Sequence, residues 1–199
     1  ESDCQEFLGF FEGKLKEYDD LLTFNPIFMD RTKDVGLISK DEAVSWGLSG
    51  PNLRGSGVAY DIRKADPYCV YGRLDFKVCV GERGSCWDRY RVRMLEMAES
   101  VKIVRQCLKA IPAGDFMAKG VAKIPKPLPG EAYAHVDAPR GDLGIYLVSD
   151  GGFNPYRLHV RAPSFVNLAM LQKMLVGMKV ADVVAVLGSI DIVLGEVDR

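Results

Sequence analysis

The sequence predicts an α+β fold: a helical N-terminal part with one long amphipathic helix, a small antiparallel β-meander, then C-terminal helices. Three observations predict it. Apolar residues recur at helical steps over residues 7–22 and again over 85–108. The period switches to two after a proline-rich connector at 112–130. Helical signals return from about residue 165 to the end. The organisation is therefore 1–111 mainly helical, 112–130 connector, and 131–199 strands, helices and tail.

Residues 7–22 read as a helix because Phe7, Phe10, Phe11, Leu15, Tyr18, Leu21 and Leu22 share one apolar face, and Asn25-Pro26 stops it. The first twenty residues carry seven acids and two lysines, read as a solvated face. Ser39-Lys40-Asp41-Glu42 has the form of a capping box, opening a short helix through about Trp46. The glycines and proline of GLSGPNLRGSG, residues 47–57, predict a structured loop, with Asp61 and Arg63 just after it.

Ser85 to Leu108 is the clearest element. Trp87, Tyr90, Met94, Met97, Val101, Val104 and Leu108 form a heptad-like stripe, and Ser85 with Asp88 caps its start. This stripe reads as core. The other face carries Arg89, Arg91, Arg93, Glu96 and Glu99, read as mostly solvated, with the arginines free to meet a partner subunit. Pro112, Pro125, Pro127 and Pro129 make the connector extended. Tyr133–Val136 and Leu143–Val148 read as strands around a turn at Pro139-Arg140-Gly141, and Asp150-Gly151-Gly152 turns into a third at Tyr156–Val160. Ser164 is placed as the cap of a helix over about 165–176. Val180–Leu187 is a second helix, ended by Gly188.

Composition excludes several classes. The 199 residues are 48% hydrophobic, enough for a core. With 26 Lys+Arg against 27 Asp+Glu, the net charge of −1 lacks the basic excess of a general nucleic-acid binder. The longest apolar run, Val180–Leu194, is broken by Asp182 and Asp191, short of the roughly 20 apolar residues of a spanning helix. The opening ESDCQEFLGF is acidic and lacks the basic segment of a secretory signal. Five cysteines with no C-x-x-C pair read as free thiols rather than a zinc or iron–sulfur site.

Candidate sites are few. GPNLRGSG lacks the Gly-Lys-Ser/Thr of a phosphate loop, having Gly55, Ser56 and Gly57 instead. His135 and His159 read as strand histidines facing solvent or a polar contact, with no metal spacing. The tail is the unusual feature: Asp191, Glu196, Asp198 and Arg199 follow an apolar run. A carboxylate beside an arginine can trade protons with a bound ligand. From spacing alone, a surface ion pair is the preferred reading.

Several blocks resemble one family. LTFNPIF (22–28), WGLSGPNLRGSGVAYDIRKADPY (46–68), DRYRVRMLEMAESVKIVRQCL (88–108), APRGDLGIYLVSDGG (138–152), PYRLHVRAPSFVNL (155–168) and ADVVAVLGSIDIVLGEVDR (181–199) are similar to the D subunit of NADH:quinone oxidoreductase, respiratory complex I. The chain resembles the C-terminal half of that protein, whose other half supplies a histidine and tyrosine for the quinone headgroup. The family is related to the nickel–iron hydrogenase large subunit, so the resemblance implies a fold of that kind. Those hydrogenases end in D-P-C-x-x-C-x-x-H. Aligned on Asp191, the cysteine positions hold Val193 and Glu196 and the histidine position holds Arg199. Metals needing soft thiolates should not bind.

The resemblance implies that Asp191, Val193, Glu196 and Arg199 line or support a quinone chamber, with Arg140 beside them. It implies Asp191 or Glu196 as proton relay, Arg199 as a cation for quinone oxygens and Val193 as an apolar wall. It implies no cofactor on this chain, quinone as substrate and a 4Fe–4S cluster in the neighbouring B subunit. It implies the B and C subunits and the membrane arm as partners, and no nucleic acid. It implies a location at the cytoplasmic face of a bacterial inner membrane, or the organellar matrix or stromal side. The isolated half is expected to be inactive. Two alternatives stand beside this: a docking module with a structural tail, or a relative using ferredoxin or a deazaflavin as donor.

Overall fold

The computed structural model describes residues 2–120, 124 and 126–198. Helix α1 spans Ser2–Tyr18 and runs into a π-helical turn, Asp19–Thr23. Asn25 does more than end this helix. Its side chain accepts from the backbone of Ile27 and Phe28, opening α2, Pro26–Thr32. Helix α3, Lys40–Ser45, starts at the expected Ser39–Glu42 capping box. Helix α4 is Gly50–Gly55 and α5 is Ile62–Ala65, capped by Asp61. The long helix α6, Cys86–Ala110, opens on the expected Ser85–Asp88 box.

No helix or strand forms among the described residues of 112–129. Then come β1 (Gly130–Ala138), β2 (Gly141–Ser149) and β3 (Arg157–Arg161). They form one antiparallel sheet in the order β1-β2-β3. Ala138 pairs with Gly141, so the first hairpin turns through Pro139 and Arg140 alone. Helices α7 (Pro163–Leu168), α8 (Leu171–Leu175), α9 (Val183–Ile190) and α10 (Leu194–Val197) complete the α+β architecture. No helix among the described residues is long and apolar enough to cross a membrane.

Five expectations are corrected. The glycine-rich stretch 47–57 contains α4, and all six residues of that helix are buried. It is a core element, closed to any phosphate. The helix over 165–176 is two short helices, and Ser164 lies inside α7, whose N-cap is Ala162. Gly188 does not end α9, which continues to Ile190 and closes on Asp191 in the left-handed region at φ +59°. The predicted apolar face of α1 points largely outward: Leu8 and Leu15 are buried, while Phe7, Phe10 and Leu21 are exposed.

The fifth correction concerns α6, which has neighbours on both sides. Trp87 and Tyr90 of the stripe meet the α1–α2 side, where Trp87 Nε1 donates to the Thr23 carbonyl at 3.0 Å. Phe28 packs edge-on against Tyr90 at 4.9 Å. The opposite face meets α4 and α9, so Arg89 is fully buried rather than solvated. Its guanidinium donates to the carbonyls of Gly36 and Gly84 and to Ser189 Oγ, joining three segments.

The main core gathers Ile38, Leu53, Met170, Met174, Val186 and Ile190 from α4, α8, α9 and the segments beside them. Each such side chain contributes about 1.5–3 kcal/mol by leaving water. The core fixes the C-terminal end of α9, and with it Asp191.

Candidate functional site

The segment 49–52 sets the geometry of the site. Asn52 Nδ2 donates to the Ile190 carbonyl at 3.1 Å, pinning the end of α9. Ser49 Oγ accepts from the Asp142 amide at 3.1 Å, pinning the start of β2. Asn167 of α7 donates to the Arg140 carbonyl at 3.1 Å, and its Oδ1 accepts from the Ser49 amide at 3.2 Å. Gly50 and Gly141 cross here. A Cβ on Gly50 would lie 2.6 Å from the Arg140 carbonyl oxygen, and one on Gly141 would lie 2.4 Å from Ser49 Oγ. The hairpin turn and the end of α9 are thus held in register by backbone contact that only glycine permits.

This brings Arg140 onto Asp191. Arg140 Nε donates to the Asp191 carbonyl at 3.1 Å and Nη2 to Asp191 Oδ1 at 3.2 Å. A second arginine, Arg93 of α6, stands behind the same carboxylate. Its Nε is 3.7 Å from Asp191 Oδ2, and its Nη2 donates to the Ile190 carbonyl at 3.2 Å. Burial pushes the Arg93 guanidinium down to about 10, with Asp191 the strongest force opposing that fall. It therefore remains cationic at neutral pH. Asp191 is partly exposed, its side chain at 41%. It presents a carboxylate between two cations at the rim of a cavity of about 410 Å³. Phe28, Tyr90, Cys86, Arg93, Ser189 and Asp191 are among its lining. Aromatic walls with a few convergent charges suit a planar ligand with polar ends.

The other tail residues part company with Asp191. Glu196 Oε2 accepts from the Ser164 amide at 3.0 Å, at the first turn of α7. Ser164 Oγ accepts from the Val193 amide at 3.3 Å. Both ties dock the tail onto α7. The cavity lining includes none of Val193, Glu196 and Arg140; Arg140 reaches the site only through Asp191. Arg199 lies outside the described residues, as does Pro125 of the connector. Asp191 and Arg140 thus meet, while Val193 and Glu196 belong to a neighbouring structural contact. The sequence reading missed Arg93, Asn52 and Asn167. Arg93 stands in the block DRYRVRM, but its place on a charged helix face reads as solvated.

His135 makes polar contacts: Nδ1 lies 3.2 Å from Asp142 Oδ1 and Nε2 3.1 Å from Asp66 Oδ2. His159 is exposed. Among the described residues no three His, Cys, Asp or Glu side chains converge as a metal ligand set.

Comparison with known proteins gives the family. The family described as "Respiratory-chain NADH dehydrogenase, 49 Kd subunit" matches residues 1–128 and 119–199. The D subunit of NADH-quinone oxidoreductase from Desulforamulus reducens is 51% identical over 195 residues, 98% of this chain and 53% of its own length. The D subunit numbered 2 from Solibacter usitatus is 50% identical over 199 residues, 100% of this chain and 54% of its own. The chloroplastic H subunit of NAD(P)H-quinone oxidoreductase from Chlorokybus atmophyticus is 45% identical over 219 residues, 98% of this chain and 56% of its own. The chain spans about half the length of these curated relatives. With the match extending from its first block to its last, the chain belongs to the 49 kDa subunit family of respiratory-chain NADH dehydrogenase.

Proposed function

We propose that this chain forms one wall of the quinone-reducing site of a proton-pumping NADH:quinone oxidoreductase. The observation that carries the reading is Asp191 held between Arg140 and Arg93 at the rim of an aromatic-lined cavity. The relatives' names supply the reaction class, quinone reduction by NADH.

Converting a quinone to a quinol takes two electrons and two protons. A 4Fe–4S cluster held by the neighbouring B-type subunit would supply the electrons. This chain supplies the proton chemistry and the electrostatics. Arg93, in the cavity lining, stabilises negative charge developing on a quinone oxygen, because a fixed cation in a partly desolvated cavity acts more strongly than in water, while Arg140 holds Asp191 in place from outside the lining. Asp191, partly exposed, takes up a proton from solvent as that oxygen gains negative charge, passes it on and returns to the carboxylate. The C-type subunit and the membrane arm complete the assembly at the cytoplasmic face of the membrane, or its organellar counterpart.

The docking-module reading has its own support in the tail: Glu196 and Val193 are spent on Ser164. One experiment separates the two. Membranes carrying the full-length parent protein with Asp191→Asn, Arg140→Met or Arg199→Met are assayed for quinone reduction, NADH:artificial-acceptor activity and complex content. Loss of quinone reduction alone supports the site. Joint loss of all three supports the scaffold. Unchanged quinone reduction in all variants refutes the site assignment.

A further inference from the structure

Beneath the hairpin lies a buried ion cluster that the quinone reading does not use. Arg54 Nε meets Glu96 Oε1 at 2.5 Å. Arg63 grips Asp61 with Nε at 2.9 Å and Nη2 at 2.6 Å, and Arg54 Nη1 is 3.9 Å from the same carboxylate. Asp137 of β1 is the fifth member, its Oδ2 3.4 Å from Arg63 Nε. All five side chains are less than a fifth exposed.

The charges do not close. Two arginines face three carboxylates, so the fully ionised cluster carries one excess negative charge, and one proton makes it neutral. Burying an uncompensated charge is costly enough that a group takes up a proton instead. Geometry selects which group. Asp61 and Glu96 each accept charge-assisted hydrogen bonds from an arginine. Among the described residues no hydrogen-bond donor reaches the Asp137 carboxylate, and Arg63 Nε is already bonded to Asp61. The Asp137 backbone amide donates to Tyr68 Oη at 2.9 Å, which leaves the carboxylate itself unserved. Its cross-strand partner is a further carboxylate, Asp142, held by His135 and Arg161. Carboxylates directly opposed on a sheet repel.

We propose that Asp137 is a positioning residue whose proton sets how firmly the hairpin turn holds Arg140 against Asp191. When Asp137 is neutral, Arg54–Glu96 and Arg63–Asp61 close as two pairs and the end of β1 is seated. When it is ionised, it competes with Asp61 for Arg63 Nε, whose single hydrogen is already given to Asp61. Only Ala138 and Pro139 separate Asp137 from Arg140, so a shift at the base of the turn is carried to its tip. Burial, reinforced by Asp61 and Glu96, pushes the Asp137 carboxyl up to about 6 against the pull of Arg63 and Arg54. The proton assignment stands alone; the effect on turnover rests on the quinone-site reading.

The test uses membranes with the assembled complex carrying the full-length parent protein, as wild type, Asp137→Asn and Arg140→Met. Quinone reduction, artificial-acceptor activity and the infrared carbonyl band of protonated carboxylic acids are followed on both sides of pH 6. The wild type should show an inflection in quinone reduction and lose a carbonyl band at the same midpoint. Asp137→Asn should lose both features and keep, at every pH, the rate the wild type has on the acid side. Acceptor activity should stay level. A band that persists in Asp137→Asn overturns the proton assignment. A rate inflection that persists while the band is gone overturns the positioning role. If Arg140→Met leaves quinone reduction untouched, the quinone-site reading and the coupling fail together, while the band still decides the proton. Should Asp137→Asn fail to assemble, Asp137→Glu replaces it, and an unmoved band midpoint overturns the assignment.

Discussion

Replacing Gly141 by alanine tests whether backbone contact positions the hairpin turn. The added Cβ would lie 2.4 Å from Ser49 Oγ, 2.9 Å from the Ser49 carbonyl carbon and 3.0 Å from the Gly50 nitrogen. Two of these three atoms are backbone, so no side-chain rotation relieves the clash. Gly141 also sits at φ +140°, a region that L side chains rarely adopt. Overpacking costs about 1–3 kcal/mol and the strained backbone about 1–3 kcal/mol more. The sum, roughly 2–6 kcal/mol, rivals the whole stability of a domain, about 5–15 kcal/mol. Gly144→Ala, three residues along the same strand, is the control. The three atoms nearest its Cβ would all belong to the side chain of Tyr133, a residue that is 57% exposed and can swing aside. Urea unfolding of the full-length protein should show Gly141→Ala losing several kcal/mol and Gly144→Ala less than about 1 kcal/mol. Equal losses in the two variants would refute the claim that the Gly50–Gly141 crossing sets the site.

Arg89→Lys should destabilise by at least about 2 kcal/mol, since a single nitrogen cannot stand where Nε, Nη1 and Nη2 each meet their own acceptors and each orphaned group costs about 1–3 kcal/mol; denaturant midpoints measure this. For Asp137, the folded value of about 6 exceeds the ordinary 3.8, so the folded state keeps a proton that the unfolded chain has lost between those values. Its contribution is therefore full below 3.8 and disappears as pH rises through 6, a fall of about 3 kcal/mol. Unfolding curves taken across that window should show the fall in wild type and a flatter profile in Asp137→Asn. Glu196→Ala should cost about 1 kcal/mol through the lost bond to the Ser164 amide, while Glu196→Gln keeps the acceptor and the melting temperature.

Local rules were legible wherever the chain itself supplies the hydrogen bonds. Ser39–Glu42 and Ser85–Asp88 form the capping boxes that their spacing announces. The alternation after residue 130 yields the meander, with its turn at Pro139 and Arg140. What stayed hidden was set by tertiary contact. Glycine richness counts against a helix at 50–55, yet Gly50 and Gly55 are needed where Gly141 and Arg89 press close. Arg89 and Arg93 read as solvated because a helix face carries no sign of its own partner. That partner is α9, 100 and 97 residues further along the chain at the contacts these arginines make. Of the site, Asp191 and Arg140 came from the family resemblance; their direct contact through paired nitrogens came only from the fold.

The division within the tail is the sharper consequence. Asp191, Val193 and Glu196 sit at a spacing that treats them as one constellation, yet the chain bends between them. Asp191 ends α9 in a left-handed conformation, which aspartate tolerates better than most side chains. That bend aims its carboxylate back toward Arg140 and Arg93. It also throws Val193 and Glu196 forward onto Ser164. Glu196 already accepts the Ser164 amide at a helix start, and giving that contact up to a ligand would unseat α7. Asp191 lines a cavity between arginines on two different elements, and a ligand that engages it leaves no helix start unserved. The proposed proton relay therefore falls to Asp191, while Glu196 holds the tail on α7.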